Sequence, residues 1–213
     1  MRYRVQVRIA TLSVGMALCA AVAASEVGLV TAVTGSVALR GQTSGAGELK
    51  PFVKLQAGDR LTLREGRVQL VYFDGGVQET WQGAGELEAG TNTSRLVQGS
   101  LQGESRTLPP ILVKQLSRTP DGTGSVKTGM IRLRSITPSE TLETVERNYA
   151  ELRAAAAADD LAPELYRFTG YLDLQEYTRL EAALQALQAS RPDDAAVAEL
   201  GTLYRKALEA ARK

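Results

Sequence analysis

The sequence predicts an α+β chain whose two kinds of structure are segregated. An N-terminal all-β unit, sandwich- or barrel-like, is followed by an antiparallel bundle of about four helices. Three observations carry this. First, 14 of the 20 glycines lie between Gly28 and Gly103, where they separate β-prone runs such as VGLVTAV, SVALR, RVQLVYF and SRLVQG. Turn signals at intervals of roughly 8 to 12 residues are the pattern of an all-β domain. Second, from Thr137 onward glycine falls to two residues, and leucine and alanine dominate at helical spacing. Third, Asp74-Gly75 stands between two β runs, and this dipeptide favours the positive φ angles that a tight hairpin turn needs.

The first 24 residues read as a secretory signal peptide. Arg2, Arg4 and Arg8 form a basic opening without an acid, Ile9 to Cys19 is almost wholly apolar, and small residues follow. Cleavage fits after Ala23 or after Ala24. The apolar run is shorter than the roughly 20 residues that a spanning helix requires, so the membrane is met only through this segment. Leu18 occupies the position before Cys19 where a lipidation signal wants a small residue, which argues against an acyl anchor. Removing the leader leaves no cysteine, and 22 basic against 24 acidic residues. Stability must then come from a packed core and not from disulfides. The near-neutral balance offers no reason to expect nucleic acid.

Residues 25–106 form the β domain. Its centre is Gly58 to Trp81, read as three strands: Asp59 to Leu63, a break at Glu65-Gly66, Arg67 to Phe73, and a return after Asp74-Gly75. A two-residue loop at Asp74-Gly75 sets Tyr72 opposite Val77, Leu70 opposite Glu79 and Val68 opposite Trp81. Val68, Leu70, Tyr72, Val77 and Trp81 then share the core face. Gly58, Asp59, Asp74 and Gly75 are structural turn residues, because a short carboxylate bonds nearby backbone N–H groups.

Residues 107–136 are a mixed junction. Pro109-Pro110 bends the chain, ILVKQL reads as a strand, RTPDGTGS as a loop, and VKTGMIRLRS as a further strand closing the β unit. Arg106, Lys114, Arg118, Lys127, Arg132 and Arg134 face a single acid, Asp121, in this stretch. Two roles follow: a site for an anionic polymer or lipid surface, or a face that contacts the acidic helical half, which carries 9 basic and 14 acidic residues from Pro138 on.

Residues 137–213 are helical. Thr137-Pro138-Ser139-Glu140 has the form of a capping box, with Thr137 as N-cap. Leu142, Val145, Tyr149 and Leu152 make the first stripe, to about Ala157. Pro163 opens a helix with Leu165, Phe168 and Leu172 inward. Tyr177, Leu180, Leu184 and Leu187 line a third, and Asp193 caps a fourth with Val197, Leu200, Tyr204 and Leu208 inward. Short loops make these antiparallel neighbours. Tyr166, Tyr171 and Leu203 fall off the stripes and are candidates for a shared face, covered by the β domain, by a second copy of the chain or by a partner.

No histidine occurs anywhere, which removes the commonest general base and metal ligand. Serine–lysine and paired-carboxylate chemistry survive on paper, with Asp59, Asp74 and Glu79 the acids nearest the hairpin. Neither Asp74-Gly75-Gly76 nor Asp121-Gly122-Thr123-Gly124 supplies enough oxygen ligands for calcium, and no glycine-rich loop opens a helix to cradle phosphate. No cofactor is expected. Trp81, the only tryptophan, is a core residue or a platform for a sugar ring.

The series GLVTAVTGSVALRG, GDRL, EGRVQLVYFDGG and GELE resembles the FecR-like periplasmic domain over roughly Val27 to Gly103. The chain departs from that pattern at Gly76, where the family commonly has serine or threonine. The family's name-giving members are anti-sigma regulators with a cytoplasmic domain before a membrane helix. Only eight residues precede the apolar segment here, so the resemblance implies a stand-alone envelope version without the signalling role. LQEYTRLEAALQALQASRPDD resembles the second half of a tetratricopeptide repeat, with Tyr177, Leu180, Leu184, Leu187 and Pro192 at its packing positions. Leucines at 180 and 187 replace the small alanines of that motif, and both a degenerate repeat and a plain helical hairpin fit. The resulting expectation is a non-enzymatic periplasmic or secreted protein that binds envelope proteins. The alternative is a polysaccharide- or peptidoglycan-binding module using Trp81 and the basic segment.

Overall fold

A computed structural model describes residues 25–41, 45–120 and 140–212. The leader, the cap at Thr137 and the strand read from VKTGMIRLRS lie outside the described residues. The β half comprises β1 (Glu26–Gly41), β2 (Gly45–Glu48), β3 (Lys54–Gln56), β4 (Arg60–Tyr72), β5 (Val77–Ala89) and β6 (Ser94–Thr107). All pairings are antiparallel, in the order β2-β1-β4-β5-β6, with β3 also paired to β1. Among the described residues five helices follow: α1 (Pro110–Ser117), α2 (Leu142–Ala155), α3 (Ala162–Asp173), α4 (Tyr177–Ser190) and α5 (Ala195–Ala211). The architecture is α+β, built on one hydrogen-bonded sheet.

The strands are longer and fewer than the glycine punctuation implies. Glu65-Gly66 does not break β4; it sits at a bulge, where the register against β5 shifts between Leu63 and Gly66. Gly66 faces Gly35 of β1 there. A Cβ on Gly66 would come 2.5 Å from the Thr34 carbonyl oxygen, so the two backbones approach as only glycine permits. The sheet bends at such points without ending.

One core fills a single face of this sheet. It gathers Val30 and Val37 from β1, Leu61, Leu63, Val68, Leu70 and Tyr72 from β4, and Leu87 from β5. Val71, between Leu70 and Tyr72, points the other way, as strand alternation requires. With Leu29 and Phe52 it joins a second core built from α1 to α5, including Leu112, Val145, Leu165, Phe168, Leu200 and Tyr204. β4 is therefore buried on both faces near the hairpin. The compositionally distinct halves share this second core.

ILVKQL is helical and not a strand. Pro110 stands at the first helical position, where its missing N–H is no loss, and Leu112, Val113 and Leu116 bury one side. A six-residue stretch with four apolar residues is too short for its periodicity to separate strand from helix. α2 starts at Leu142, with Thr141 as N-cap accepting from the Thr144 N–H at 3.2 Å. α5 is capped by Asp194, not Asp193; its Oδ1 accepts from the Ala196 and Val197 N–H groups at 2.9 and 3.3 Å. In both cases the cap is the residue adjoining the first helical turn, which adjacent or near-adjacent polar residues do not reveal in sequence.

Candidate functional site

The hairpin keeps the expected register, Leu70 opposite Glu79 and Val68 opposite Trp81. Its loop differs: β4 ends at Tyr72 and β5 begins at Val77, and the positive φ angles are at Gly75 (80°) and Gly76 (63°). A four-residue loop over 73–76 has the same centre as a two-residue loop over 74–75, so the register is preserved. Gly76 is thus a conformational requirement of the turn. Gly58 has φ of 88°, and the buried Asp59 accepts from the Gln56 N–H at 2.9 Å through Oδ2. These residues close turns.

Trp81 is half-buried over Gly103, where any Cβ would strike its ring at 2.6 Å. Its indole N–H donates to Glu79 Oε2 at 2.9 Å, and the Ser94 backbone N–H donates to the same carboxylate at 3.1 Å. Ser94 Oγ lies 2.8 Å from the Tyr72 hydroxyl. Burial pushes the Tyr72 phenol up to about 12, and the Glu79 charge adds to the effect. This buried cluster locks the start of β6 onto β5. It leaves neither Glu79 nor the indole edge presented as a sugar platform.

The basic segment is divided. Arg106 binds Asp160 at 2.7 Å and donates through Nε to Gln78 Oε1. Arg118 binds Asp173 at 3.0 Å. Burial holds the Asp173 carboxyl above its usual range, against the opposing pull of Arg118. Both arginines thus meet acids of the helical half. Lys114 lines an open hollow of about 390 Å³ with Phe73, Gly76 and Val113. Lys127, Arg132 and Arg134 lie outside the described residues.

Tyr166 and Tyr171 do not form an exposed face; both are buried between α2 and α3, as is Leu203 in the helical core. The Tyr166 hydroxyl donates to Glu140 at 3.2 Å and accepts from Asn148 at 2.9 Å. The Tyr171 hydroxyl donates to Glu146 and accepts from Arg167 Nε at 2.8 Å. A phenol has an apolar body with a polar tip, so falling off an apolar stripe does not mean facing solvent.

The helical half instead opens a groove of about 460 Å³ between α2, α3 and α4. Phe168, Ala183, Ala186 and Leu187 make an apolar floor, with Tyr149, Arg153, Arg167 and Arg191 around it. Each guanidinium is held in place. Arg153 binds Glu164 at 3.0 Å and the Asp160 carbonyl at 2.7 Å. Arg167 lies 4.5 Å over the Tyr149 ring centroid and binds Glu146 at 2.9 Å. Arg191 binds Asp194 at 2.5 Å. Sequence reasoning missed this groove because its walls come from three helices separated in sequence. The small alanines of α4 among larger residues were the available signal.

Among the described residues, no group of three or more histidine, cysteine or acidic side chains is placed to hold a metal ion. No described helix is long and apolar enough to cross a membrane. No family model, curated protein or solved structure matches this chain.

Proposed function

We propose that this chain is an exported, non-enzymatic protein of the bacterial cell envelope that binds other proteins, with a FecR-type β domain as the base for a helical binding unit. The observation that carries the reading is the groove between α2, α3 and α4. An apolar floor ringed by guanidinium groups already fixed by carboxylates and an aromatic face is preorganised, and preorganisation lowers the cost of binding. Such a surface suits a partner segment that inserts an apolar side chain and offers carbonyl or carboxylate oxygens at the rim. The FecR-type assignment rests on the order of turns and strands in sequence. The leader supports export to the periplasm or beyond.

The polysaccharide reading has less support, since Trp81 spends its N–H on Glu79 and its ring on Gly103. Arg106 and Arg118 are committed to Asp160 and Asp173. The test is affinity capture from envelope extract with the wild-type chain and with Ala186→Arg. Ala186 is exposed at the groove, so the new side chain fills it without entering the core. Specific partners should be lost from the variant and retained by the wild type at raised ionic strength. Equal capture by both proteins would remove the groove from the function.

A further inference from the structure

β6 is the terminal strand of the sheet, and along its 14 residues it pairs with β5 on one side only among the described residues. The strand at the opposite end of the order, β2, has four residues. A long edge leaves a row of backbone N–H and C=O groups unmatched by any other strand and is a template for strand addition. Edges are kept from pairing by being short, by charged side chains (lysine above all), by proline, by bulges or by cover. β6 is long and has no lysine or proline; its one bulge against β5 is at Val97, and its charges, Arg95, Glu104 and Arg106, are of both signs.

The side chains point the same way. Leu96 and Val97, 43% and 39% accessible, are the exposed large hydrophobic residues of the described chain, and both lie on β6. Cross-strand neighbours share a face, and the pairs Trp81–Gly103, Gly83–Leu101 and Leu87–Leu96 put Trp81, Leu101 and Leu96 on one face. They form an apolar stripe along the rim of the sheet core, half-covered at Trp81 and Leu101 and exposed at Leu96. Charges sit near the two ends: Arg95, whose side chain remains 71% exposed although it holds Glu88 at 2.9 Å, and the exposed Glu104.

We propose that β6 docks against β6 of a second copy of this chain, antiparallel about a two-fold axis near Ser100, joining two sheets into one. A two-fold axis perpendicular to the sheet reverses the strand and keeps its faces, so the two edges meet antiparallel with like faces together. Arg95 is five residues from Ser100 and Glu104 is four residues from it on the other side. Arg95 stands opposite Glu88 and Glu104 opposite Thr80, each four positions of β5 from Ala84, the partner of Ser100; the extra residue at Val97 thus brings each copy's Arg95 opposite Glu104 of the other on the same face, and the pair forms twice. Leu96 of each copy extends the Trp81–Leu101 stripe of the other and loses its exposure to water. The strand thus offers backbone, apolar and charged groups that are complementary to themselves under one rotation. The groove on the helices plays no part, so the dimer stands or falls separately from the proposed partner binding.

The test uses the chain from Ser25 to Lys213 in analytical ultracentrifugation, from low micromolar to a few hundred micromolar. The wild type is expected to dimerise, and Leu96→Lys with Val97→Lys to be monomeric with an unchanged circular dichroism spectrum. Arg95→Glu and Glu104→Arg each oppose like charges at both ends and should weaken the dimer about tenfold or more. Mixed one to one, those two variants restore an Arg–Glu pair at both ends, so the heterodimer should recover wild-type affinity. A wild type that stays monomeric throughout overturns the proposal. A monomer whose outer β6 amides are nevertheless protected from hydrogen exchange also overturns it, because the chain itself then covers the edge. A dimer indifferent to the Leu96 and Val97 changes, or variants that associate no better mixed than apart, would do the same.

Discussion

Gly75 and Gly76 carry the hairpin at positive φ, and they do so for different reasons of space. A Cβ on Gly75 would touch only Val77 at 3.9 Å, so its cost is backbone strain alone. Gly75→Val should lower stability by about 1 kcal/mol or more, read from chemical denaturation. Unchanged unfolding would mean that the turn relaxes. At Gly76 a Cβ would also press on Val113 of α1 at 3.1 Å, which ties the loop to the helices. The cap of α5 offers a second comparison between neighbours. Asp194→Ala removes the acceptor for two N–H groups and the partner of Arg191, and should cost about 1 kcal/mol. Asp193→Ala, outside the cap, should change stability by less than about 0.5 kcal/mol. Equal losses from the two variants would contradict the capping geometry.

The elements were legible in proportion to their periodicity. The stripes of α2 to α5 could be read because three or four apolar residues repeat at helical spacing in each. Strand ends could not, since a glycine at a turn and a glycine at a bulge look alike in sequence. Gly35 and Gly66 belong to the second kind, facing each other inside continuous strands. Gly170 shows the same ambiguity in a helix. It lies inside α3, where a Cβ would meet the Val145 methyls of α2 at 2.9 and 3.1 Å. Its role is close approach of two helices, not helix termination. Gly170→Leu should force α2 and α3 apart and cost about 1–3 kcal/mol, as overpacking does. Thermal melts of this variant and of the milder Gly170→Ala measure it. If leucine melts no lower than alanine, the contact is not tight.

At the scale of the whole molecule, the second core makes the sheet and the helices interdependent, because Leu29, Phe52 and Val71 pack with residues of α1 to α5. The helical segment is therefore not insulated from damage to the sheet. Buried phenols give this core a pH signature. Burial pushes Tyr72, Tyr166 and Tyr171 up to about 12, and raises Tyr204 further. The folded state keeps these protons where the unfolded chain releases them. Their contribution is intact below about pH 10 and is lost as pH rises toward 12. In an alkaline titration, most phenolate absorbance should appear together with loss of the helical circular dichroism signal. Phenolate forming near its ordinary pH in a still-folded protein would rule out this coupling.

Composition and local pattern alone determined the segregation of strands from helices, the hairpin register and the helix stripes. Each depends on neighbours within a few residues, where φ requirements and side-chain periodicity act directly. Tertiary structure decided the rest. Whether Gly66 turns or bends a strand depends on Gly35, thirty-one residues earlier in the chain. Whether ILVKQL is strand or helix depends on the core that Leu112 and Leu116 enter. Tyr166 and Tyr171 are buried because carboxylates and amides from α2 and the residues before it reach their hydroxyls. The groove and the exposed edge of β6 are likewise products of packing: one needs three helices to make its walls, and the other exists because no described strand lies beyond it. These features are set by long-range burial and pairing, which no local window of sequence contains.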